Sequence, residues 1–299
     1  MFAHFWRQWA PLLAVLGSVT AVTLGTSLAK HLFPVVGAQG TAALRVGIAA
    51  VILLLVWRPW RWPLQRAQLT AIVHFGLALG AMNLLFYMAL RTIPFGLAVA
   101  IEFSGPLAVA IYHSRRPVDG VWLLLAIVGL GLILPWGDRA ATAALPLEGL
   151  ACAAGAAVCW ALYIVLGRRL RGVRSGQATA WGLLCAALLI VPLGAAQAGV
   201  KLLDPSIWGW AVMVAVVASI VPYSLEMWAL RRLPPATFGI ALATEPVMAA
   251  LMGLLLLQEQ LHLSQWAGIA CIMTAAMGSA VQPTAAASAS AETSAHGST

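Results

Sequence analysis

Apolar residues in this chain are gathered into ten long runs, not into the alternating or three-to-four-spaced stripes of a water-soluble fold. The runs cover residues 11–29, 37–57, 68–90, 94–112, 119–136, 147–166, 177–197, 208–229, 236–257 and 262–281, and short polar connectors separate them. Each has roughly the 17–25 residues that a helix needs to cross a bilayer core. The pattern predicts an all-α membrane protein of ten transmembrane helices. The narrowest gap, Arg91-Thr92-Ile93, is secured by Pro94, because proline cannot continue a helix but opens one well. Ser27-Leu28-Ala29 resembles a leader cleavage site, yet the run before it exceeds the roughly 7–15 apolar residues of a leader. It is therefore read as a retained span.

Composition agrees. Of 299 residues, 62% are hydrophobic and 9% charged, against roughly 25% charged in a soluble domain. Lipid is the implied solvent. The net charge of +8 does not indicate nucleic acid, because the basic residues sit in connectors and not in a patch. Sorted by alternate connectors, one side holds Arg7, Arg58, Arg61, Arg66, Arg115, Arg116, Arg168, Arg169, Arg171, Arg174, Arg231 and Arg232. The other holds Lys30, Arg91, Arg139 and Lys201. This asymmetry predicts that both termini lie in the cytoplasm. Trp57, Trp60, Trp62, Trp122, Trp136, Trp208, Trp210, Trp228 and Trp266 fall near span ends, as an interfacial belt requires. Trp160 lies inside a span. Cys152, Cys159, Cys185 and Cys271 lie in apolar runs with neither zinc nor disulfide spacing, so packing explains them.

Shifting the chain by 140 residues superimposes Ala89-Leu90-Arg91 on Ala229-Leu230-Arg231, Pro94 on Pro234, Pro106 on Pro246 and Ala110 on Ala250. The prolines carry the signal, since they fix helix starts and kinks at equal intervals. The unit is five helices, and an odd count inverts the second copy in the membrane, a recurring transporter architecture. The expected organisation is a cytoplasmic N-terminus (1–10), a first repeat (11–136), a periplasmic connector (137–146), a second repeat (147–281) and a disordered Ala/Ser/Thr-rich cytoplasmic tail (282–299).

Charges inside spans cost at least ~2.5–3.5 kcal/mol each on insertion scales, so they are functional candidates. Four occur: Arg45, Glu102, Glu226 and Glu245. Arg45 and Glu102 each lie about eight residues into a span running inward, roughly 12 Å deep. They are placed to pair, or to hold the two ends of a zwitterion. Arginine's planar fork suits a carboxylate. Under the shift, Glu245 falls on Gly105, about one helical turn from Glu102, and a proline follows closely in both places. Glu226 lies near a span end, where an ion pair with Arg231 or Arg232 competes with substrate binding. Asn83, Tyr87, Trp160, Tyr163 and Tyr223 are further candidates for a cavity wall, though helix packing or interhelical hydrogen bonding is the preferred reading for each. His74 and the Gly76–Gly80 pair are read as packing.

No HExxH, GxSxG or P-loop pattern occurs, and no metal-spaced cluster of His and carboxylates. Neither an enzyme, a cofactor nor a metal is expected, and an ion or substrate gradient must supply the energy.

The segment NLLFYMALRTIPFGLAVAIEFSGPLAVAIYHSRRPVD (83–119) resembles amino-acid exporters of the EamA family, in the drug/metabolite transporter superfamily. GTSLAKHLFP (25–34), TAALR (41–45), CWALYIVLG (159–167), PYSLEMWALRRLPPATFG (222–239), Glu245-Pro246 and MGS (277–279) extend the resemblance over most of 11–281. It implies two inverted EamA repeats and efflux of threonine and homoserine against proton entry. The expected partners are that small-molecule substrate, protons and the lipid bilayer, with a homodimer left open. Efflux of other metabolites or drugs is the alternative within the family. A non-transporting membrane enzyme or assembly subunit is the alternative outside it.

Overall fold

The computed structural model describes residues 2–113, 119–133, 146–170, 172–230, 232–233 and 235–281. The connector 137–146, apart from Pro146, and the tail 282–299 lie outside them. Among the described residues every regular element is helical. The helices are α1 (Phe2–Ala29), α2 (Phe33–Trp57), α3 (Arg66–Ala89), α4 (Phe95–His113), α5 (Asp119–Ile133) and α6 (Leu147–Gly167). They continue with α7 (Ser175–Ala198), α8 (Pro205–Ala215), α9 (Val221–Leu230), α10 (Pro235–Leu242), α11 (Glu245–Leu256) and α12 (Leu263–Val281).

Seven helical stretches are long and apolar enough to cross a membrane, and Phe95–Val109, Gly120–Ile133 and Leu263–Gly278 are shorter apolar helices. The chain is a multi-pass membrane protein. Its outward surface carries Leu55, Val56, Leu124, Leu188 and Leu255, all exposed, which only lipid tolerates in such density.

Two spans are interrupted where proline or packing disturbs the backbone ladder. A π-helical turn, Val216–Ile220, joins α8 to α9 just before Pro222. A kink at Ala243-Thr244 joins α10 to α11, and Glu245 and Pro246 open the second piece. A third irregularity lies in α2, where Gly37 takes φ +71° and ψ 174°. That region of backbone space is essentially closed to residues with a Cβ. Gly37→Ala is expected to cost about 1–3 kcal/mol, seen as a lowered unfolding temperature in detergent; an unchanged temperature would contradict this.

Small residues bring the helices close, the usual membrane solution where no hydrophobic force drives association. α2 packs on α7, α3 on α6 and α7, α4 on α6 and α11, α5 on α12, and α1 on α9, α11 and the π-turn. A Cβ on Gly25 would lie 2.7 Å from the Ala218 backbone nitrogen, so α1 touches the π-turn directly. Gly76 and Gly80 pack α3 onto α7 at Gly182, Cys185 and Ala186. His74, expected in packing, is instead exposed, with Nδ1 2.8 Å from its own helix's Thr70 carbonyl.

Contacts between connectors sort them into two ends. At one, Gln177 Nε2 donates to the carbonyls of Pro59 (3.1 Å) and Trp62 (2.8 Å), and Arg174 lies 4.6 Å over the Trp62 ring. At the other, Lys30 meets Glu259, and Arg91 lies 4.0 Å from Glu148. These are called the Arg58 end and the Lys30 end.

Candidate functional site

A cavity of about 540 Å³ lies between the helices, within the range of small-molecule sites. Eight of the nine residues singled out from the sequence line it: Arg45, Asn83, Glu102, Trp160, Tyr163, Tyr223, Glu226 and Glu245. They come from α2, α3, α4, α6, α9 and α11, so the cavity is bounded by helices from both halves of the chain. The ninth, Tyr87, is fully buried and does not reach the wall. It accepts a hydrogen bond from Arg45 across helices, so of the two readings for this residue the structure shows the interhelical bond and not the cavity wall.

Arg45 is held by two hydroxyls. Its Nη1 donates to Tyr87 Oη at 3.0 Å and its Nε to Ser219 Oγ at 3.0 Å. The guanidinium also sits 5.2 Å from the Tyr87 ring centroid. A cation in an apolar interior needs such partners to offset lost hydration. Among the described residues, the ion pairs are Lys30–Glu259 and Arg91–Glu148, so Arg45 and Glu102 share the cavity without pairing.

Glu102 stands on α4, which is pressed against α6: a Cβ added at Gly105, one turn on, would collide with the Ala157 carbonyl oxygen. The backing ring is Phe103, edge-on to Trp160 at 5.6 Å. Tyr163 stacks on Phe75 at 4.6 Å. Asn83 spends one amide hydrogen on the Leu79 carbonyl at 2.9 Å, satisfying part of its polarity within α3.

Glu226 accepts a hydrogen bond from Ser18 Oγ of α1 at 2.6 Å. Arg232 turns elsewhere, donating to the Trp228 carbonyl at 2.9 Å with its guanidinium 4.2 Å above that ring. Arg231 lies outside the described residues. Glu245 projects from the first turn of α11, at the kink. The cavity thus combines one pinned cation with three carboxyls. A zwitterion placed there would meet a cation for its carboxylate and carboxyls for its ammonium. No group of three or more His, Cys, Asp and Glu side chains is arranged for a metal among the described residues.

The two ends of the cavity differ. A second void, bounded by Leu53, Trp57, Gly176, Trp228 and Arg232, shares Thr179 and Tyr223 with the first and leads toward the Arg58 end. Toward the Lys30 end, Phe95 lines the wall. Above it Glu259 accepts from Lys30 Nζ at 2.5 Å and from the Phe95 backbone N–H at 2.6 Å. Glu259 reaches this position because the chain turns sharply after α11. Gln258 has φ +56°, and the Glu259 N–H bonds back to the Gly253 carbonyl at 3.0 Å.

Sequence reasoning passed over Ser18, Ser219 and the Lys30–Glu259 pair. Serine in an apolar run carries little signal, since its hydroxyl often satisfies itself on its own helix. Lys30 and Glu259 read as ordinary connector charges.

The EamA-like transporter family model matches residues 147–281. The chain is 45% identical over 277 residues to the threonine/homoserine exporters RhtA of Escherichia coli (strain K12) and Salmonella typhimurium (strain LT2), covering 91% of each chain. It is 25% identical over 255 residues to the uncharacterized transporter YwfM of Bacillus subtilis, covering 79% of this chain and 81% of that one. A solved crystal structure aligns with a TM-score of 0.55 at 19% identity, over 91% of this chain and 96% of the other, which bears on the fold alone.

Proposed function

The chain belongs to the EamA-like transporter family, and we propose that it exports threonine, homoserine and related small neutral amino acids across the inner membrane in exchange for protons. The observation that carries this reading is the 45% identity, over 91% of the chain, to proteins named for that export. The cavity supports it. Arg45 holds the substrate carboxylate, and Glu102 or Glu245 alternates between the substrate ammonium and a proton. A carboxyl moved from water into a low dielectric favours its neutral form, which suits it to carry protons.

The same reading takes the fold as ten spans in two inverted five-helix repeats (11–136 and 147–281), with the pieces α8–α9 and α10–α11 as one span each. Helix packing supports this, because most partnerships have an inverted counterpart. α3 on α6 mirrors α1 on α9, α4 on α6 mirrors α1 on α11, and α3 on α7 mirrors α2 on α8. α2–α7, α4–α11 and α5–α12 map onto themselves. Both termini are cytoplasmic, so the Arg58 end faces the cytoplasm, where basic connectors belong. The cavity then loads from the cytoplasm while Glu259, Lys30 and the α4 N-terminus seal the periplasmic end.

Two measurements test this. Labelled threonine and homoserine flux is followed in proteoliposomes, with and without an imposed pH gradient. Saturable, gradient-stimulated flux is expected; folded protein that moves neither amino acid would overturn the substrate. For the seal, the reporter is Thr26→Cys, on the cavity wall: Lys30→Met is expected to raise its labelling by an external, impermeant thiol reagent about tenfold, the shift that ~1.4 kcal/mol produces. Equal labelling in both forms would remove the seal from the mechanism.

Organic-cation efflux is the second reading. The aromatic wall of Phe103, Trp160 and Tyr163 beside three carboxyls suits a delocalised cation. Resistance to toxic amines without amino-acid flux would favour it.

A further inference from the structure

We infer that Ser219 is a positioning residue for the transported amino acid: by occupying Nε of Arg45 it sets which edge of the guanidinium meets the substrate carboxylate. This rests on the export reading above. A guanidinium offers five N–H donors in one plane. A carboxylate grips it in two ways, side-on through Nε and one Nη, or end-on through the two Nη atoms. Both grips use two parallel hydrogen bonds.

In this protein the side-on edge is taken. Ser219 Oγ lies 3.0 Å from Nε, and Ser219 is 1% exposed, so water does not compete for that bond. Tyr87 Oη takes one hydrogen of Nη1 and is itself fully buried. What remains for a ligand is Nη2 and the second Nη1 hydrogen. The two hydroxyls approach from different elements, α3 for Tyr87 and the π-turn for Ser219, and together they fix both position and rotation of the group. A single hydrogen bond would leave the plane free to swing.

The π-turn is what brings Ser219 there. A π-turn adds a residue to one helical turn and re-aims the side chains within it, and such turns gather at functional positions. Here it spans Val216–Ile220 and is braced from behind by α1, where Gly25 allows contact with Ala218. Arg45 and Tyr87 belong to the first half of the chain and Ser219 to the second. The substrate-facing edge is therefore defined only when the two halves are docked at mid-depth.

The test is threonine flux in proteoliposomes, with KM and maximal rate measured separately for wild type, Ser219→Ala and Ser219→Thr. Without the Ser219 hydroxyl the guanidinium plane is free to swing and must be ordered by the substrate, which predicts a KM about 3- to 10-fold higher for Ser219→Ala, with maximal rate within about twofold. Ser219→Thr, which keeps the hydroxyl, is expected to restore KM. Threoninamide, which lacks the second carboxylate oxygen, gives an independent readout. The preference for threonine over threoninamide is expected to narrow in Ser219→Ala and return in Ser219→Thr. Should Ser219→Ala fail to reach the membrane, Ser219→Cys, a weak acceptor of similar size, takes its place. Wild-type flux with an unchanged KM in Ser219→Ala or its cysteine stand-in overturns this inference alone. A fall in maximal rate and unfolding temperature at constant KM also overturns it, because that is the mark of a merely structural residue. Absence of wild-type flux overturns the export reading, and the inference with it.

Discussion

Replacing Glu102 by glutamine is expected to reduce gradient-driven net export by at least ~100-fold, the scale on which removal of an essential proton-transfer group acts. Glu102 is 6% exposed, lies on the wall of the cavity with Arg45 and forms no ion pair with it. Glutamine has nearly the same shape, so α4 keeps its seat against α6 at Gly105. What is lost is the ability to bind and release a proton. The variant is expected to reach the membrane at wild-type levels and to retain exchange of labelled for unlabelled threonine. Net export at the wild-type rate in Glu102→Gln would end its role. Glu245→Gln provides the comparison. Defective coupling there, with Glu102→Gln unaffected, would move the proton to Glu245, just after the kink at Ala243-Thr244.

Arg45→Lys is the second substitution with a large expected effect: a KM for threonine raised about 100-fold, because a point charge replaces a planar bidentate fork. Lysine keeps the charge, so the electrostatic balance against the three carboxyls persists. It cannot reach Ser219 and Tyr87 while also presenting two parallel donors to a ligand. Arg45→Ala goes further. It leaves the Tyr87 and Ser219 hydroxyls without their partner in an apolar interior, at about 1–3 kcal/mol for each unsatisfied group. That variant is expected to unfold at lower temperature as well as to lose flux. Wild-type KM in Arg45→Lys would show that the substrate carboxylate is held elsewhere.

Much of this was legible in the sequence because the bilayer imposes two blunt rules: long apolar runs, and a high cost for charge within them. Most runs located their helices to within a few residues, but α1, read from residue 11, begins at Phe2, and the eighth and ninth runs are each broken into two pieces. α2 departs in an instructive way. Its apolar run was read from residue 37, yet the helix begins at Phe33, with the irregular Gly37 inside it. A glycine in an apolar stretch does not declare its φ. The intramembrane charges Arg45, Glu102, Glu226 and Glu245 stood out for the same reason of cost, and all four line one cavity. The small polar groups that orient them did not. Ser18 and Ser219 look like ordinary helix serines until the fold places them 2.6 Å from Glu226 and 3.0 Å from Arg45. Their partners lie 208 and 174 residues away in the chain, beyond any local pattern. Tyr87 was legible as a polar group inside a span that bonds between helices, but its partner Arg45, 42 residues away, was not.

The contact of Glu259 with Phe95 carries a consequence for mutation and drift. The donor at Phe95 is the backbone N–H, not the phenyl ring. Every residue except proline supplies that group. One half of the seal therefore survives almost any substitution at position 95, while the other half depends on the identity of Lys30. Glu259 is the shared acceptor of both bonds. In a library of random variants selected for growth on toxic amino acids, position 95 is expected to tolerate broad exchange of side chains of similar bulk, position 30 little, and position 259 least of all. Part of the proposed seal is thus inherited through the main chain, where point mutation has almost no purchase.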